Sequence, residues 1–509
     1  MRYILAHDVG TTGDKATLYD EEGTLIGSRF APYPTAYPHP TWAQQNPDDW
    51  WSAFCLSTQG LIHDAHIAPS EVACVVFSGQ MMGMVAVDRQ GRPRHHALIW
   101  ADQRSVAQIE RVAGRIDPRR VYEITGHRLS ASYSAGKMLW LRDHDPRAYA
   151  EAVVFLQAKD FLAACLTGTF VTDPSDASGT NLYSLVDGDW SAELLDAFEI
   201  PREKLPTIRP STAVIGETGA VVAEETGLPA GTPVVIGGGD GSCAATGAGV
   251  IRPGVAYNYI GSSSWIGVAT DAPILDPQMR TFTWAHLLPG RFTPTGTMQA
   301  AGSSYQWARD QLAGDAKRAA EELGLSAYEI MNLQVEQSPP GARGLLYLPY
   351  LLGERSPRWN HEARGAFVGL TIRHTHADML RAVLEGITYN LRVILEAFQR
   401  QGAMITELRV IGGGARGAVW NGIMADIFGL PVARLSLLEE ATSMGAAVAG
   451  GIGVGLWKDF SQVDRMIRVD RTAQPDAARH ELYSTLYEAF NRTYDALDGA
   501  AIFHTLAQF

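Results

Sequence analysis

The sequence has little of what marks a secreted, metal-clustering or membrane-spanning protein. Its 509 residues include four cysteines, which are far apart and form no CxxC pair: Cys55, Cys74, Cys165 and Cys243. Neither a disulfide framework nor a zinc site is therefore expected, and a reducing cytoplasm fits this cysteine usage. The longest mostly apolar stretch, residues 444–457, is shorter than the ~20 residues that span a bilayer and is rich in glycine. We expect no membrane insertion and no signal segment.

Basic runs are also absent. The chain carries 42 Lys and Arg against 55 Asp and Glu, a formal net charge of −13. This balance argues against nucleic acid or an anionic membrane as a standing partner. ATP is not excluded, because local backbone amides and one or two cations hold a nucleotide. No GxxxxGK[ST] segment exists, which excludes a P-loop kinase.

The length predicts more than one domain, and the composition predicts a globular protein. Hydrophobic residues make up 46% of the chain and charged residues 19%, with 51 glycines for tight turns. A chain this long does not fold around one core. We expect an α/β protein with an N-terminal domain over 1–250 and a C-terminal domain over 251–509, the boundary lying near 249–254. No low-complexity linker separates them, so they should pack across a cleft that binds a small ligand.

Each half opens with a similar predicted hairpin. Residues 3–6 and 15–19 predict strands around the turn 10–13, with a third strand from Leu25. Residues 255–260 and 265–269 predict strands around a second glycine and serine turn. We interpret the two hairpins as a weak internal repeat.

Other elements follow from apolar spacing and cap residues. The predicted helices are 134–143, 158–166, 375–399, one from near Val419 and closing helices after Lys458; the further predicted strands are 234–236 and 408–411. Thr375 and Asp378 predict a capping box at the start of the helix over 375–399.

The first turn supplies parts that phosphoryl transfer needs. A carboxylate, Asp8, ends the first strand, and exposed amides, hydroxyls and a cation follow it: Gly10, Thr11, Thr12 and Lys15. In this interpretation Asp8 organises Mg²⁺ through water, while the turn and Lys15 face the β- and γ-phosphates. The alternative is an ordinary hairpin. The second turn favours the phosphate interpretation, because two facing turns would clamp one triphosphate: Gly261, Ser262 and Ser263.

A glycine segment after the predicted strand 234–236 presents Asp240. We expect residues 237–239 to form a loop that exposes this carboxylate. Asp240 could accept the proton of a substrate hydroxyl as the bond to phosphorus forms. It could equally cap the next helix, since Asp is a favoured cap residue.

The segment 412–417 formally satisfies GxGxxG, a weak signal by itself. A dinucleotide site would need an acid at the end of the next strand, whereas Glu439 and Glu440 lie in a predicted loop. We interpret the segment as an adenosine seat, whose glycines, Gly413 and Gly414 among them, let the backbone approach base or ribose.

Two further segments place polar groups beside predicted strand ends. One contains Gln80, Met81 and Met82, and the other contains Trp100, Asp102 and Arg104. Their amide, carboxylate and guanidinium groups could bind the hydroxyls of a polyol, with an aromatic face on its carbons. A buried methionine pair and a surface salt bridge explain the same residues without a ligand.

Taken together, these segments resemble the FGGY carbohydrate kinases over nearly the whole chain. The matching motifs are WAQQNPDDWW (42–51), SGQM (78–81), KD (159–160), LTG (166–168), DPSDASGT (173–180), GGGD (237–240), YLPYLLGERSP (347–357), RAVLEG (381–386) and GGGA (412–415). Each match is weak alone, but their order and number are specific.

The resemblance implies two actin-like (ribonuclease H-like) domains that face each other across a cleft, with ATP and Mg²⁺ as cofactors. It further implies Asp240 as catalytic base, Asp8 as the metal-associated acid with Asp240 beside it, and Met81 and Met82 as substrate contacts. Ala415 and Asn421 join the nucleotide set. Dimers are common in the family, so a homodimer is possible.

Within the family the motifs resemble xylulokinases most, which implies conversion of D-xylulose to D-xylulose 5-phosphate. Two positions depart from the xylulokinase pattern: Met82 replaces a His, and Gly241 replaces an Asn. Another ketose, a polyol or a sugar acid (ribulose, erythritol, a pentitol or gluconate) therefore remains an alternative substrate. An actin-like ATPase or an inactive sugar-binding protein would be alternatives from other classes.

Overall fold

The computed structural model describes residues 1–437 and 439–509. The strands of the first half are β1 (Tyr3–Val9), β2 (Gly13–Tyr19), β3 (Leu25–Pro32), β4 (Gln44–Gln45), β5 (Val72–Gly79), β6 (Val85–Val87), β7 (Ala97–Leu98), β8 (Val154–Leu156), β9 (Val171–Thr172), β10 (Tyr183–Ser184), β11 (Asp189–Trp190), β12 (Thr207–Ile208), β13 (Val214–Glu217) and β14 (Pro233–Gly239). Its helices are α1 (Pro47–Asp64), α2 (Val106–Ala113), α3 (Pro118–Thr125), α4 (Ser134–His144), α5 (Pro146–Glu151), α6 (Ala158–Thr167), α7 (Pro174–Ser178), α8 (Ala192–Phe198), α9 (Ala220–Thr226) and α10 (Asp240–Gly247).

The second half repeats this mixture of strands and helices. Its strands are β15 (Gly254–Ile260), β16 (Ser264–Val268), β17 (Phe282–Ala285), β18 (Phe292–Met298), β19 (Leu346–Leu348), β20 (Ala366–Val368), β21 (Ile405–Ile411), β22 (Val432–Leu435) and β23 (Val469–Ala473). Its helices are α11 (Gly302–Gln311), α12 (Gly314–Leu323), α13 (Ala327–Gln337), α14 (His376–Arg400), α15 (Ala418–Phe428), α16 (Ala441–Gly453), α17 (Val463–Met466), α18 (Ala477–Gly499) and α19 (Ile502–Leu506).

The six strands of the first main sheet have counterparts in the same order in the second, which has one further strand, β17, and this supports the internal repeat. In the described residues the first sheet has the order β13-β14-β5-β1-β2-β3, and the second has the order β17-β18-β16-β15-β21-β22-β23. In each sheet the opening strand pairs antiparallel with the next strand of its hairpin and parallel with a later strand. The apolar strand β5 is buried along its whole length, as expected for a parallel strand with both faces covered. The chain is therefore a mixed α/β protein built on two sheets.

Two helices join the halves. Helix α10 of the first half crosses α16, which comes from the second half of the sequence but packs on β1, β5 and β14 of the first sheet. A Cβ on Gly247 would lie 2.7 Å from the carbonyl carbon of Ala441, and one on Gly445 would lie 2.8 Å from that of Cys243. The helices thus meet backbone to backbone. The division near residue 250 stays a prediction, since α16 belongs to the first sheet by packing.

The capping box predicted at the long helix is present. Thr375 is the N-cap of α14; its hydroxyl accepts from the Asp378 amide, and the Asp378 carboxylate accepts from the Thr375 amide at 2.8 Å. The apolar stretch 444–457 lies largely in α16, whose buried residues form a core with the first sheet. Among the described residues no helix is long and apolar enough to cross a membrane.

One local expectation was wrong, and two other regions contain elements that the sequence did not predict. Residues 237–239 complete strand β14 instead of forming a loop, because Gly238 and Gly239 pair with the end of β5. The adenosine segment contains a 3-10 helix, Gly413–Arg416. The closing region after Lys458 also contains a strand, β23, which pairs antiparallel with β22 at the sheet edge.

Candidate functional site

Asp240 lies where β14 passes directly into α10. Gly237 has φ +66°, and a Cβ there would lie 2.7 Å from the carbonyl carbon of Phe77, so only glycine fits beside β5. The N-cap of α10 is Gly239, and Asp240 is the first helical residue. One oxygen of Asp240 accepts from the Gly241 amide at 2.7 Å. The side chain thus makes one local contact, and the interpretation of Asp240 as the N-cap residue is wrong.

Asp8 lies close enough to Asp240 for its charge to affect the pKa of Asp240. In β1, Asp8 pairs across the sheet with Ser78 of β5 and Lys15 of β2. Burial raises the pKa of Asp8 to about 6, against the effect of Ser78 and Lys15. Burial and the negative charge of Asp8 raise the pKa of Asp240 to about 7. Two carboxylates from distant parts of the chain therefore share one poorly solvated site, a pattern typical of functional residues.

The first turn is held from its carbonyl side. The carbonyl of Gly10 accepts from the Tyr33 hydroxyl and from the Gln80 amide at 3.2 Å. The carbonyl of Thr11 accepts from the Gln45 amide at 2.6 Å. Protein hydrogen bonds therefore hold the carbonyls of this turn. Tyr33 was not among the sequence candidates, and no local pattern pointed to it.

Trp100, Gln80 and Met81 surround this turn and Asp240. Trp100 is 38% exposed, and its indole donates to the Thr11 hydroxyl at 2.9 Å. Gln80 is buried and donates to Gln45 at 2.8 Å. Met81 is buried against the end of β14, because a Cβ on Gly239 would lie 2.6 Å from its sulfur. The structure thus brings all three sequence candidates to the site, while their ligand contacts stay predictions.

Asp102 and Arg104 form a closed ion pair. Both side chains are buried, and the Arg104 guanidinium lies 2.8 Å from Asp102. It also lies 4.0 Å from the ring centre of Trp42 and 4.8 Å from that of Trp140. Asp102 further accepts from the Ala43 amide. The pair is therefore buried, unlike the surface salt bridge considered from the sequence, and its polar groups bind protein atoms here.

Lys15 contacts the other half of the chain. Its ammonium donates to the Glu439 carbonyl at 2.9 Å and to the Glu440 carboxylate at 3.3 Å. Glu440 immediately precedes α16. Lys15 thus bridges the two halves in this structure, and its expected contact with phosphate stays a prediction.

The second turn rests on the start of α11. The Gly261 carbonyl accepts from the Gly302 amide at 3.0 Å, and the Ser262 carbonyl accepts from the Ser303 amide at 3.0 Å. The Gly261 amide donates to the Ser263 carbonyl. This turn is again held through its carbonyls, so the two hairpin turns are built alike.

The second hairpin also reaches the first-half carboxylates. The Tyr257 hydroxyl donates to the Gly241 carbonyl at 3.0 Å. Burial raises the pKa of Tyr259, and the charges of Asp8 and Asp240 raise it further. Strand β15 of the second hairpin therefore contacts the residue that follows Asp240 and lies near both carboxylates.

A cavity of about 760 Å³ lies in the second half beside the second turn. Its lining residues are Ile260, Gly261, Ser262, Gly302, Tyr305, Gln306, Ser326, Tyr328, Glu329, Asn332, Gly413, Gly414, Arg416, Gly417, Trp420 and Glu439. Of the predicted nucleotide set, Gly261, Ser262, Gly413 and Gly414 line it. Ala415 and Asn421 are buried and are not among its lining residues. The side-chain amide of Asn421 donates to the Ala415 carbonyl at 2.9 Å, so Asn421 stabilises the glycine segment.

Glu439 is a residue that the sequence reasoning set aside. It follows β22, lines this cavity and accepts from Arg416 at 2.7 Å. An acid after the second strand of a βαβ unit is the signal that could have found it, since such an acid commonly binds ribose hydroxyls.

A buried charge cluster supports Asp240 from behind. The Lys159 ammonium lies 3.0 Å from Asp173, and its other carboxylate neighbours are Asp160 and Asp176. Ser175 donates to Asp173 at 2.6 Å and accepts from the Gly239 amide at 2.9 Å. The cluster thus fixes the residue before Asp240. Residues of the KD and DPSDASGT motifs can thus serve the site by holding the end of β14, and they need no contact with a ligand to do so.

The described residues contain no group of three or more His, Cys, Asp and Glu side chains that could hold a metal ion. Asp8 and Asp240 are two carboxylates in one site, and the buried Oδ1 of Asp8 has no hydrogen-bond partner among the described residues. Mg²⁺ is commonly bound through one or two carboxylates plus water and phosphate oxygens. The residues present therefore fit that ion.

Comparisons with known proteins match most of the chain to one family. The model for the N-terminal domain of the FGGY family of carbohydrate kinases matches residues 3–247, and that for the C-terminal domain matches residues 256–454. A xylulose kinase of Staphylococcus epidermidis (strain ATCC 12228 / FDA PCI 1200) is 33% identical over 497 residues, covering 96% of each chain. A gluconokinase of Bacillus subtilis (strain 168) is 30% identical over 489 residues, covering 96% of this chain and 94% of that protein.

A solved structure gives the same answer for the fold. The ligand-bound xylulose kinase from Lactobacillus acidophilus superposes with a TM-score of 0.92 at 26% identity, covering 99% of this chain and 100% of that one. Both family models together span most of the sequence. The chain therefore belongs to the FGGY family of carbohydrate kinases, and it is a sugar kinase.

Proposed function

We propose that the protein transfers the γ-phosphoryl group of ATP to a hydroxyl of D-xylulose, giving D-xylulose 5-phosphate and ADP. The observation that carries this proposal is Asp240, a carboxylate near Asp8 whose pKa is raised to about 7 and whose neighbour Gly241 contacts the second hairpin. A general base works best when its pKa lies near the working pH.

Asp240 would accept the proton of the attacking hydroxyl. The hydroxyl oxygen forms a bond to the γ-phosphorus, the bond from that phosphorus to the β-phosphate oxygen breaks, and ADP leaves. Because Asp240 accepts one local hydrogen bond, from Gly241, its second oxygen is available for the substrate. Met81, packed against the end of β14, would set the depth to which the sugar approaches.

We propose Asp8, with Asp240, as the residues that hold Mg²⁺. When bound, the ion would neutralise charge that develops on the phosphate oxygens. The free Oδ1 of Asp8 supports this role. Burial makes an unpaired carboxylate costly, so a carboxylate retained here without a partner is suited to a cation.

ATP would lie between the halves, with its adenosine in the 760 Å³ cavity. The glycines Gly413 and Gly414 permit close approach, and Glu439 is suited to ribose hydroxyls. The phosphates would then reach the turns of both hairpins, at Thr11 and Ser262, whose carbonyls are already bound by protein. Amides of the turns are the groups left to bind the phosphates.

D-xylulose is the substrate we favour, because the xylulose kinase relative is 33% identical over 96% of the chain. Gluconate is the second candidate, since a gluconokinase matches nearly as well. The free cysteines support a reducing, cytoplasmic setting for the reaction.

The test is ADP release from Mg-ATP by purified protein with D-xylulose, D-ribulose, L-ribulose, glycerol, erythritol, xylitol, D-arabitol or gluconate. We expect the highest kcat/KM with D-xylulose. Asp240→Asn should abolish transfer and retain ATP binding. The control is the same substitution at an exposed carboxylate of α8, Asp196→Asn, which should leave activity unchanged. A higher kcat/KM with gluconate would make gluconate the substrate and leave the proposed role of Asp240 as the base unchanged. Substantial transfer by Asp240→Asn would remove Asp240 from its role.

A further inference from the structure

Lys137 is a buried lysine to which the reaction scheme gives no task. It lies in α4 and is fully buried. No carboxylate among the described residues lies within ion-pair distance of its ammonium. Instead the ammonium donates to two backbone carbonyls, that of Met82 at 2.8 Å and that of Ser132. Burial lowers the pKa of Lys137 to about 7, although Asp102 opposes this effect. A lysine is seldom kept in such surroundings without a structural or functional reason.

Met82, the first partner of Lys137, has a strained backbone. Its φ is +64°, in the left-handed region that favours glycine. Strained residues tend to occur at ligand sites, where neighbouring contacts enforce the conformation. Helix α4 supplies those contacts: Lys137 binds the carbonyl of Met82, and the hydroxyl of Ser134 donates to the carbonyl of Gly83 at 2.7 Å. Two consecutive carbonyls are thus held from one helix turn.

The second partner of Lys137 lies on another wall of the same site. Ser132 precedes Tyr133, which packs in one apolar cluster with Met81, Phe282 and Trp284, and Met82 lies against this cluster. Met81 in turn contacts the end of β14 next to Asp240. One ammonium therefore ties together two segments that border the cleft beside the candidate base.

We propose that Lys137, assisted by Ser134, is a positioning residue of the sugar site: it holds Met82 in the left-handed conformation and so sets the surface against which the sugar packs. This inference rests on the proposed function, which makes Met82 a substrate contact. Lys137 itself is too deeply buried to touch the sugar. Its loss should weaken sugar binding and leave the distant nucleotide cavity intact.

The test compares steady-state constants of the full-length protein with its best sugar from the panel. We expect Lys137→Met to raise the KM for the sugar about tenfold or more, with the KM for ATP changed less than about twofold. Lys204→Met is the matched control, since Lys204 also donates to two backbone carbonyls, of Tyr149 and Ala152, away from the site. It should leave both KM values unchanged.

Introducing glycine at the strained position distinguishes positioning from general support. Glycine adopts positive φ without strain, so Lys137→Met should raise the sugar KM less in a Met82→Gly background than in wild type. An equal rise in both backgrounds overturns the proposal, as does an unchanged sugar KM in Lys137→Met. If Lys137→Met fails to fold, Ser134→Ala carries the test, with an expected rise of about threefold or more in the sugar KM alone. Wild-type protein inactive on the whole panel would instead refute the proposed function.

Discussion

Replacing Gly445 by alanine is expected to disturb both the joint between the halves and the position of Asp240. Gly445 lies in α16 where that helix crosses α10, and a Cβ there would lie 2.8 Å from the carbonyl carbon of Cys243 and closer still to its oxygen. Ordinary contact begins at 3.4 Å, so the helices must separate by about 0.6 Å or more. Both neighbours are backbone atoms of helices and cannot rotate away.

Gly422→Ala in α15 provides the matched control. Both glycines lie inside helices, so both alanine variants gain about 1 kcal/mol of helix propensity. A Cβ on Gly422 would meet no described atom within 4 Å. The difference between the two variants therefore isolates the cost of overpacking, which is about 1–3 kcal/mol.

The assay has two parts, urea unfolding and steady-state turnover. We expect the free energy of unfolding of Gly445→Ala to lie about 1–3 kcal/mol below that of Gly422→Ala. Because Asp240 is the first residue of α10, kcat of Gly445→Ala should fall about tenfold or more, while Gly422→Ala keeps wild-type turnover. Equal unfolding free energies for the two variants would refute the backbone contact between these helices.

Three further predictions concern the carboxylates and the second turn. Asp240 must be ionised to accept a proton, so kcat/KM should rise with pH and reach half its maximum near pH 7. Asp8→Asn removes a charge that raises the pKa of Asp240, so it should move this midpoint to lower pH. An unmoved midpoint would show that the two charges are uncoupled. Because the pKa of Asp240 is raised, its ionisation destabilises the folded state as the pH rises from about 4 to about 7. Asp240→Asn should therefore raise the midpoint of urea unfolding at pH 8 and hardly change it at pH 4. Equal gains at both pH values would contradict this. In Gly302→Ala the new Cβ would lie 3.1 Å from the Gly261 carbonyl carbon, so this variant should raise the KM for ATP about tenfold. Gly314→Ala, at the first residue of α12, is the control and should not raise it. Equal KM values in the two variants would exclude the turn from nucleotide binding.

Much of the local structure could be predicted from the sequence. Apolar spacing and cap chemistry depend on residues a few positions apart. They predict both hairpins, the helices 134–143 and 158–166 and the capping box at Thr375. The order of the matching motifs likewise identified the family, which the comparisons confirm. The glycines 237–239 were wrongly expected to form a loop, because the pairing of Gly238 and Gly239 with β5 extends the strand, which their neighbours in sequence do not reveal.

Only the tertiary structure decided what surrounds the candidate residues. The sequence determined which chemical groups are available, among them Asp8, Asp240 and the two glycine turns. Packing brought Asp8 close enough to raise the pKa of Asp240, and it buried Lys137 under Met82. It also joined Arg104 to Asp102 in a closed pair. Burial and the charge of a distant segment set these properties, and both depend on how the halves pack, which no local pattern specifies.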